Sequence, residues 1–259
     1  MMCVKRFFII CTLVIFLLPA AGCASSRDHT AGYRSPTDIA DPFEPLNRMV
    51  FGFNTVVDAV IVEPVARAYR FILPSPVRDS VQNFMRNLRT PLNFAHNVLQ
   101  GDIGDAGVSV ARFVINTTVG IGGLFDVAAT QGLEYRREDL GQTFGRWGIG
   151  HGFYVVLPVL GPSSLRDGVG MAGDIWADPV RIYAFNQDKK WIYYTRGGVE
   201  AVDQRSRIIE AVSDLRRNSH DYYAVVRSIY GQQRYSAVHN DPYAHLGVMD
   251  LDDDLYDDY

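Results

Sequence analysis

Between Leu46 and Val62 apolar side chains fill nearly every position of a helical wheel, with Asn47, Arg48, Asn54 and Asp58 as the main polar breaks. That spacing predicts a helix with little polar surface. Pro64 then predicts a turn into a second short helix ending near Leu73, because proline removes a donor and crowds the turn before it. From Pro76 to Arg89 the pattern becomes two-sided. Val77, Val81, Phe84, Met85 and Leu88 fall on one face, and Arg78, Asp79, Gln82, Asn83, Arg86 and Arg89 on the other. Ser75 is placed to cap this helix and Pro76 suits its first turn. Pro91 is expected to begin another helix reaching Gln100 and Gly101, and Asp102 to Thr118 one more, stopped by Gly120. Near the end, Val202, Ile209, Val212 and Leu215, then Tyr222, Val225, Val226 and Ile229, predict a helical pair over 199–217 and 221–234.

The centre breaks this periodicity. Gly120 to Phe125 and Gly145 to Pro162 hold too much glycine for helix, and Phe153 to Leu157 is β-prone. The reading is a mainly α-helical domain with a glycine-rich turn or small β-hairpin inside it. Beyond residue 22 no uninterrupted apolar run reaches the roughly eighteen residues of a spanning helix. The mature chain is therefore expected to have no spanning helix, and to meet lipid through amphipathic helices lying in the plane of a bilayer.

The ends change the picture. Lys5 and Arg6 precede an apolar run from Phe7 to Leu18, and Ala20-Ala21-Gly22-Cys23 follows. This is the pattern of an export leader, and small residues directly before a cysteine suit cleavage in front of a lipid-modified Cys23. The sequence thus divides into a lipoprotein signal over 1–22, a lipidated polar tether over 23–40, a helical domain over 41–235 and an acidic tail over 236–259. Cys3 and Cys11 leave with the leader, so the mature chain holds Cys23 alone and must fold through burial without a disulfide. The formal net charge is −4, and six aspartates lie in the last ten residues, Asp250 to Tyr259. The body is thus close to neutral, which excludes the basic face that nucleic acid requires.

Catalytic and metal motifs are absent from the pattern. Gly168-Val169-Gly170-Met171-Ala172-Gly173 matches the dinucleotide fingerprint letter for letter, but lacks the strand and βαβ frame that give the motif its chemistry. Asn116-Thr117-Thr118 reads better as a helix C-terminus than as a glycosylation acceptor. The histidines show no metal-ligand spacing, and no nucleophile elbow occurs. No enzymatic activity, catalytic residue, metal or cofactor is expected beyond diacylglycerol and an N-acyl chain on Cys23.

Asp139-Leu140-Gly141-Gln142-Thr143-Phe144-Gly145-Arg146-Trp147-Gly148-Ile149-Gly150, continuing through Tyr154 to Leu157-Pro158 and Leu160-Gly161-Pro162-Ser163, resembles the signature of the VacJ/MlaA family of outer-membrane lipoproteins. Asp41-Pro42-Phe43-Glu44-Pro45-Leu46-Asn47-Arg48 with Asn54, then Asn87-Leu88, Asn97 to Gly101 and Arg112 to Asp126 resemble the same family in the same order. Phe153 and Tyr222 depart from it, each standing where the family usually has proline.

The resemblance implies a ring or disc of helices in the periplasmic leaflet of the outer membrane, with an amphipathic channel through its middle. It implies retrograde transport that clears misplaced phospholipid from the outer leaflet, with a trimeric porin and a soluble periplasmic lipid carrier as partners. The alternative is a membrane-anchored scaffold that docks a carrier or porin without conducting lipid. On the channel reading Asn116, Thr117, Gln142 and Arg146 are candidates for head-group contact, and Trp147 and Tyr154 for interfacial positions. Gly148 and Gly150, with glycines 120, 122, 123, 145 and 152, would let backbone approach closely and flex beside the channel. Mass analysis of the purified mature N-terminus is expected to show an acylated Cys23, and an unmodified residue there would remove the anchor.

Overall fold

The computed structural model describes residues 37–240. The leader, Cys23, most of the tether and the end of the tail lie outside the described residues.

Helix α1 (Glu44–Val57) runs through a π-helical turn (Asp58–Val62) directly into α2 (Glu63–Ile72). The turn expected at Pro64 is therefore absent. The Glu63 N–H reaches back to the Asp58 carbonyl, five residues away, and this wider turn gives the proline ring the room that an α-turn denies it. By length and composition alone this 29-residue helical run could cross a bilayer, and 6% of its most apolar stretch is buried inside the protein. It is not clearly a span, because one edge is committed to polar partners. Asn47 donates to the Tyr154 carbonyl at 3.0 Å and accepts from the Val156 N–H at 2.9 Å. Asn54, two turns on, donates to the Leu157 carbonyl at 2.9 Å and accepts from the Val159 N–H at 2.7 Å. Asp58, one turn further, holds Arg205 by two bonds of 2.7 and 2.9 Å.

Strands β1 (Tyr154–Leu157) and β2 (Gly161–Ser164) form the expected hairpin, antiparallel with Tyr154 opposite Ser164. A two-stranded hairpin leaves an unpaired backbone edge. Asn47 and Asn54 supply the missing partners, so their side-chain amides act as a third strand. The Tyr154 N–H is taken by the Ala40 carbonyl at 2.9 Å. Ile39, at 4% exposure, packs with Tyr154, Val156 and Tyr223 in the apolar core. The folded body accordingly includes the last residues assigned to the tether.

Helix α3 (Ser75–Gln100) is continuous, so Pro91 sits inside a helix instead of opening one. Pro74 occupies the N-cap position, with no side-chain cap, and Ser75 is already helical. Proline at 91 leaves the Asn87 carbonyl without its helical donor. Contacts with α4 (Ile103–Thr118) accompany the helix on both sides of it: Asn97 donates to the Ser109 hydroxyl at 3.1 Å and Asn87 to the Thr117 hydroxyl at 3.0 Å. Gly101, in the left-handed region at φ 79°, ends α3, and Asp102 caps α4 through the Asp105 N–H. Short α5 (Val127–Thr130) follows, and α4 ends at Thr118 as the Asn-Thr-Thr reading requires.

Asp139 caps α6 (Leu140–Arg146), and Ser164 caps α7 (Leu165–Ala177). The glycines of the false dinucleotide motif lie within α7. A Cβ added to Gly170 would stand 2.8 Å from the Gly141 Cα on α6, so glycine there allows two backbones to touch. Helices α8 (Pro179–Asn186), α9 (Lys190–Arg207), α10 (Ile209–Asn218) and α11 (Tyr222–His239) complete the body. Helix α9 begins nine residues before its expected start, because Gly197-Gly198 lowers helix propensity without breaking the helix. Helix α11 runs past Tyr235 to His239, with Val238 buried, so residues 236–239 belong to the body and not to the tail.

Replacing Gly170 with alanine is expected to cost about 1–3 kcal/mol through backbone overlap. Gly168→Ala, whose Cβ would meet nothing nearer than the Ser163 hydroxyl at 3.8 Å, should be neutral or stabilising by about 0.5–1 kcal/mol. Thermal unfolding of the two variants side by side checks the helix crossing.

Candidate functional site

An open cavity of about 840 Å³ lies where α3, α6, α7, α9, α11 and the hairpin converge. Its volume falls within the range of small-ligand sites. Its lining is mixed: Arg89, Arg137, Asp174, Asp178, Arg196 and Glu200 present charge, and Leu92, Leu160, Met171, Ile175, Tyr194 and Ala201 present apolar surface. Helical spacing produces this mixture. Asp167, Met171, Asp174 and Ile175 recur at one face of α7, and Tyr193, Arg196, Gly197, Glu200, Ala201 and Gln204 at one face of α9. A second pocket, between α3 and α4, holds about 10 Å³, room for a single water.

The charges around the large cavity are mostly spoken for. Arg234 on α11 forks onto Asp139 at 2.8 and 2.9 Å and onto Asp167 at 2.8 and 2.9 Å, joining the caps and first turns of α6 and α7. Burial works to raise both carboxyls, but the charge and hydrogen bonds of Arg234 prevail and hold them below the ordinary carboxylate range. Arg196 binds both oxygens of Asp178 at 2.9 and 2.7 Å. His96 meets Asp174 at 2.8 Å and the Thr143 hydroxyl at 3.2 Å. Arg89 donates to the Glu138 carbonyl oxygen at 3.1 Å and approaches Asp174 at 3.6 Å. Glu138 itself, 1% exposed, accepts from Gln100 at 2.8 Å. Burial pushes its carboxyl up to about 7.

The outside is the inverse of this. Among the described residues 22 polar or charged residues are buried against 11 hydrophobic ones, four of which are alanines. Large hydrophobics stand exposed instead: Met49 at 66%, Val60 at 68%, Phe71 at 92% and Ile103 at 70%. Trp147, Trp176, Trp191 and Tyr194 are exposed as well. In water an apolar surface of this extent would drive association; in hydrocarbon it costs nothing.

Of the residues proposed from sequence, Gln142 alone lines the cavity. It is buried, and its amide donates to the Arg137 carbonyl at 2.9 Å. Asn116 lies elsewhere: it donates to Asp126 at 2.9 Å and accepts from the Ala128 N–H at 2.9 Å, fixing the loop after α4. Thr117 accepts from Asn87 beside it. Arg146 is exposed on the last turn of α6, away from the cavity lining. Trp147 fits an interfacial position, 55% exposed with its indole N–H on the Leu99 carbonyl at 2.9 Å. Tyr154 does not: it is fully buried among Tyr223 and Tyr230, because β-strand alternation turns it into the core.

Gly148 and Gly150 have open space where a Cβ would stand, so close approach is not their role. Gly148 is required by its φ of 86°, and neither glycine lines the cavity. The cavity arginines were missed because they are far apart in sequence. Arg89 shows in the sequence only as one member of the polar face of α3, and Arg196 belongs to a polar row on α9 that the double glycine interrupts.

The model of the family described as MlaA lipoprotein matches residues 39–237. The chain belongs to the MlaA lipoprotein family. It is 33% identical over 248 residues to the intermembrane phospholipid transport system lipoprotein MlaA of Escherichia coli, covering 91% of this chain and 92% of that one. It is 35% identical over 202 residues to an uncharacterized protein of Rickettsia prowazekii, covering 78% and 79%. A solved structure, from work on the structural basis for maintenance of bacterial outer membrane lipid asymmetry, superposes with a TM-score of 0.67 at 35% identity, covering 77% of this chain and 99% of that one. The MlaA match thus begins at Ile39, the first residue in the apolar core.

Glu138 yields a pH test. Its folded pKa lies above the unfolded value of 4.5, so its contribution to stability is greatest below pH 4.5 and is lost as pH rises through about 7. Glu138→Gln should therefore raise Tm at pH 8, with a gain that shrinks as pH falls toward 4.5. A pH-independent effect in thermal unfolding would show that burial does not govern this carboxyl.

Proposed function

We propose that this protein is an outer-membrane lipoprotein, anchored by acyl chains on Cys23, that takes mislocalised phospholipid from the outer leaflet and passes it to a soluble periplasmic carrier. A trimeric porin is the proposed neighbour in the membrane, and the periplasmic leaflet the proposed seat. The relative from Escherichia coli is named for an intermembrane phospholipid transport system, which supports the reading. The observation that carries it is the inversion of the fold, with large apolar side chains outside and a charged cavity within.

A phospholipid moving between leaflets must take its phosphate past hydrocarbon, and an unpaired charge there is costly. A cavity with arginines and tyrosine hydroxyls along part of its lining lowers that cost. Met171, Ile175 and Ala201 along the rest give the acyl chains apolar contact. Irregular backbone such as the 147–153 segment is tolerated at membrane depth where protein encloses it or it lines a cavity.

The test is reconstitution of the acylated protein in vesicles carrying labelled phospholipid in the distal leaflet, with a soluble carrier outside. Wild type should speed transfer to the carrier. Gly197 lines the cavity with open space around it, so Gly197→Trp should fill the route. Transfer should fall about ten-fold, the effect of ~1.4 kcal/mol on a rate, with thermal unfolding unchanged. A wild type that binds the carrier without speeding transfer would be a scaffold.

A further inference from the structure

Four arginines line the large cavity, and three have close acidic or carbonyl partners. Arg234 is shared by Asp139 and Asp167, Arg196 is chelated by Asp178, and Arg89 rests on the Glu138 carbonyl. Arg137 differs. Its side chain is 48% exposed, and the closest carboxylate among the described residues, Glu200, stands 4.0 Å away. Its guanidinium makes no hydrogen bond to any described residue, although five donors project from it. Burial lowers its pKa first and repulsion from Arg89 second, and that repulsion outweighs the attraction of Glu200. The lining sets four arginines against five carboxylates, so anion recognition here rests on the free donors of Arg137 and not on the net charge of the wall. Arg89 adds a buried Nε with no hydrogen-bond partner among the described residues.

A guanidinium with free donors in a partly dry cavity is suited to a phosphate, which its planar fork can bind through two oxygens. The volume of about 840 Å³ admits a glycerophosphate head and the start of its chains, and Met171 and Ile175 share the lining. We propose that Arg137, backed by Arg89, forms a phosphodiester-binding subsite in the cavity that holds a phospholipid by its phosphate. The assignment rests on the conduit reading above, and adds the group that holds the cargo.

Photo-crosslinkable phosphatidylglycerol and photo-crosslinkable diacylglycerol, offered separately to the full-length acylated protein in vesicles, separate the contributions. Wild type should take up both within the cavity. Arg137→Gln should lower phosphatidylglycerol labelling about ten-fold, the loss of one charge-assisted contact, and leave diacylglycerol labelling unchanged. Arg137→Lys should restore part of it. Soluble glycerophosphoglycerol should compete with phosphatidylglycerol and inorganic phosphate should not; equal competition by inorganic phosphate would make this a free-anion site and overturn the lipid assignment. Undiminished phosphatidylglycerol labelling in Arg137→Gln sinks the subsite while leaving the conduit intact. Equal loss of both probes makes Arg137 a packing residue and also sinks it. A wild-type cavity that takes up neither probe removes the conduit reading itself.

Discussion

An interior that must satisfy its own polar groups governs this fold. Because the surface carries the large apolar side chains, burial of hydrophobic area within the protein cannot hold the helices together as it does in water. Hydrogen bonds and ion pairs between elements take over that task, and they do so from within a low-dielectric surround where an unmade bond is expensive. Asn47 and Asn54 show the logic at its simplest. Two amides at i and i+7 on one helix meet four backbone groups at the edge of the hairpin, so a strand edge that would otherwise lack partners is closed.

The same constraint explains the arginine chemistry. Arg205 ties α9 to the π-turn through Asp58 and to the start of α2 through Glu63, Arg112 ties α4 to the loop before α5 through Asp126, and Arg234 ties α11 to α6 and α7. A guanidinium suits this work because it stays charged and makes several directed bonds at once. Buried pairs of this kind add little net stability over apolar packing, but the loss of one partner strands the other. They fix which helix ends meet. The cavity is what remains between elements joined this way, and its wall inherits their charges.

Helix contacts made by small residues serve the same end. Gly141 and Gly170 bring α6 and α7 into backbone contact, which places Asp139 and Asp167 close enough for a single arginine to hold both. Stability, site geometry and the free donors of Arg137 thus come from one arrangement of caps and crossings.

The hydrophobic pattern by itself determined that the protein is mainly helical, with a hairpin near Tyr154, and the quoted motifs determined the family. Period and composition are local, and each helix had to carry its own stripe. Local rules failed at Pro64, Pro91 and Gly197-Gly198, where neighbouring elements or a π-turn absorb residues that would end an isolated helix. They failed again at Tyr154, read as interfacial and found in the core, and at Asn116, read as lining and found fixing a loop. The cavity was beyond them altogether. Arg89, Arg137, Arg196 and Arg234 stand far apart in the chain, and only tertiary structure decided which of them would spend its charge on a carboxylate and which would keep it.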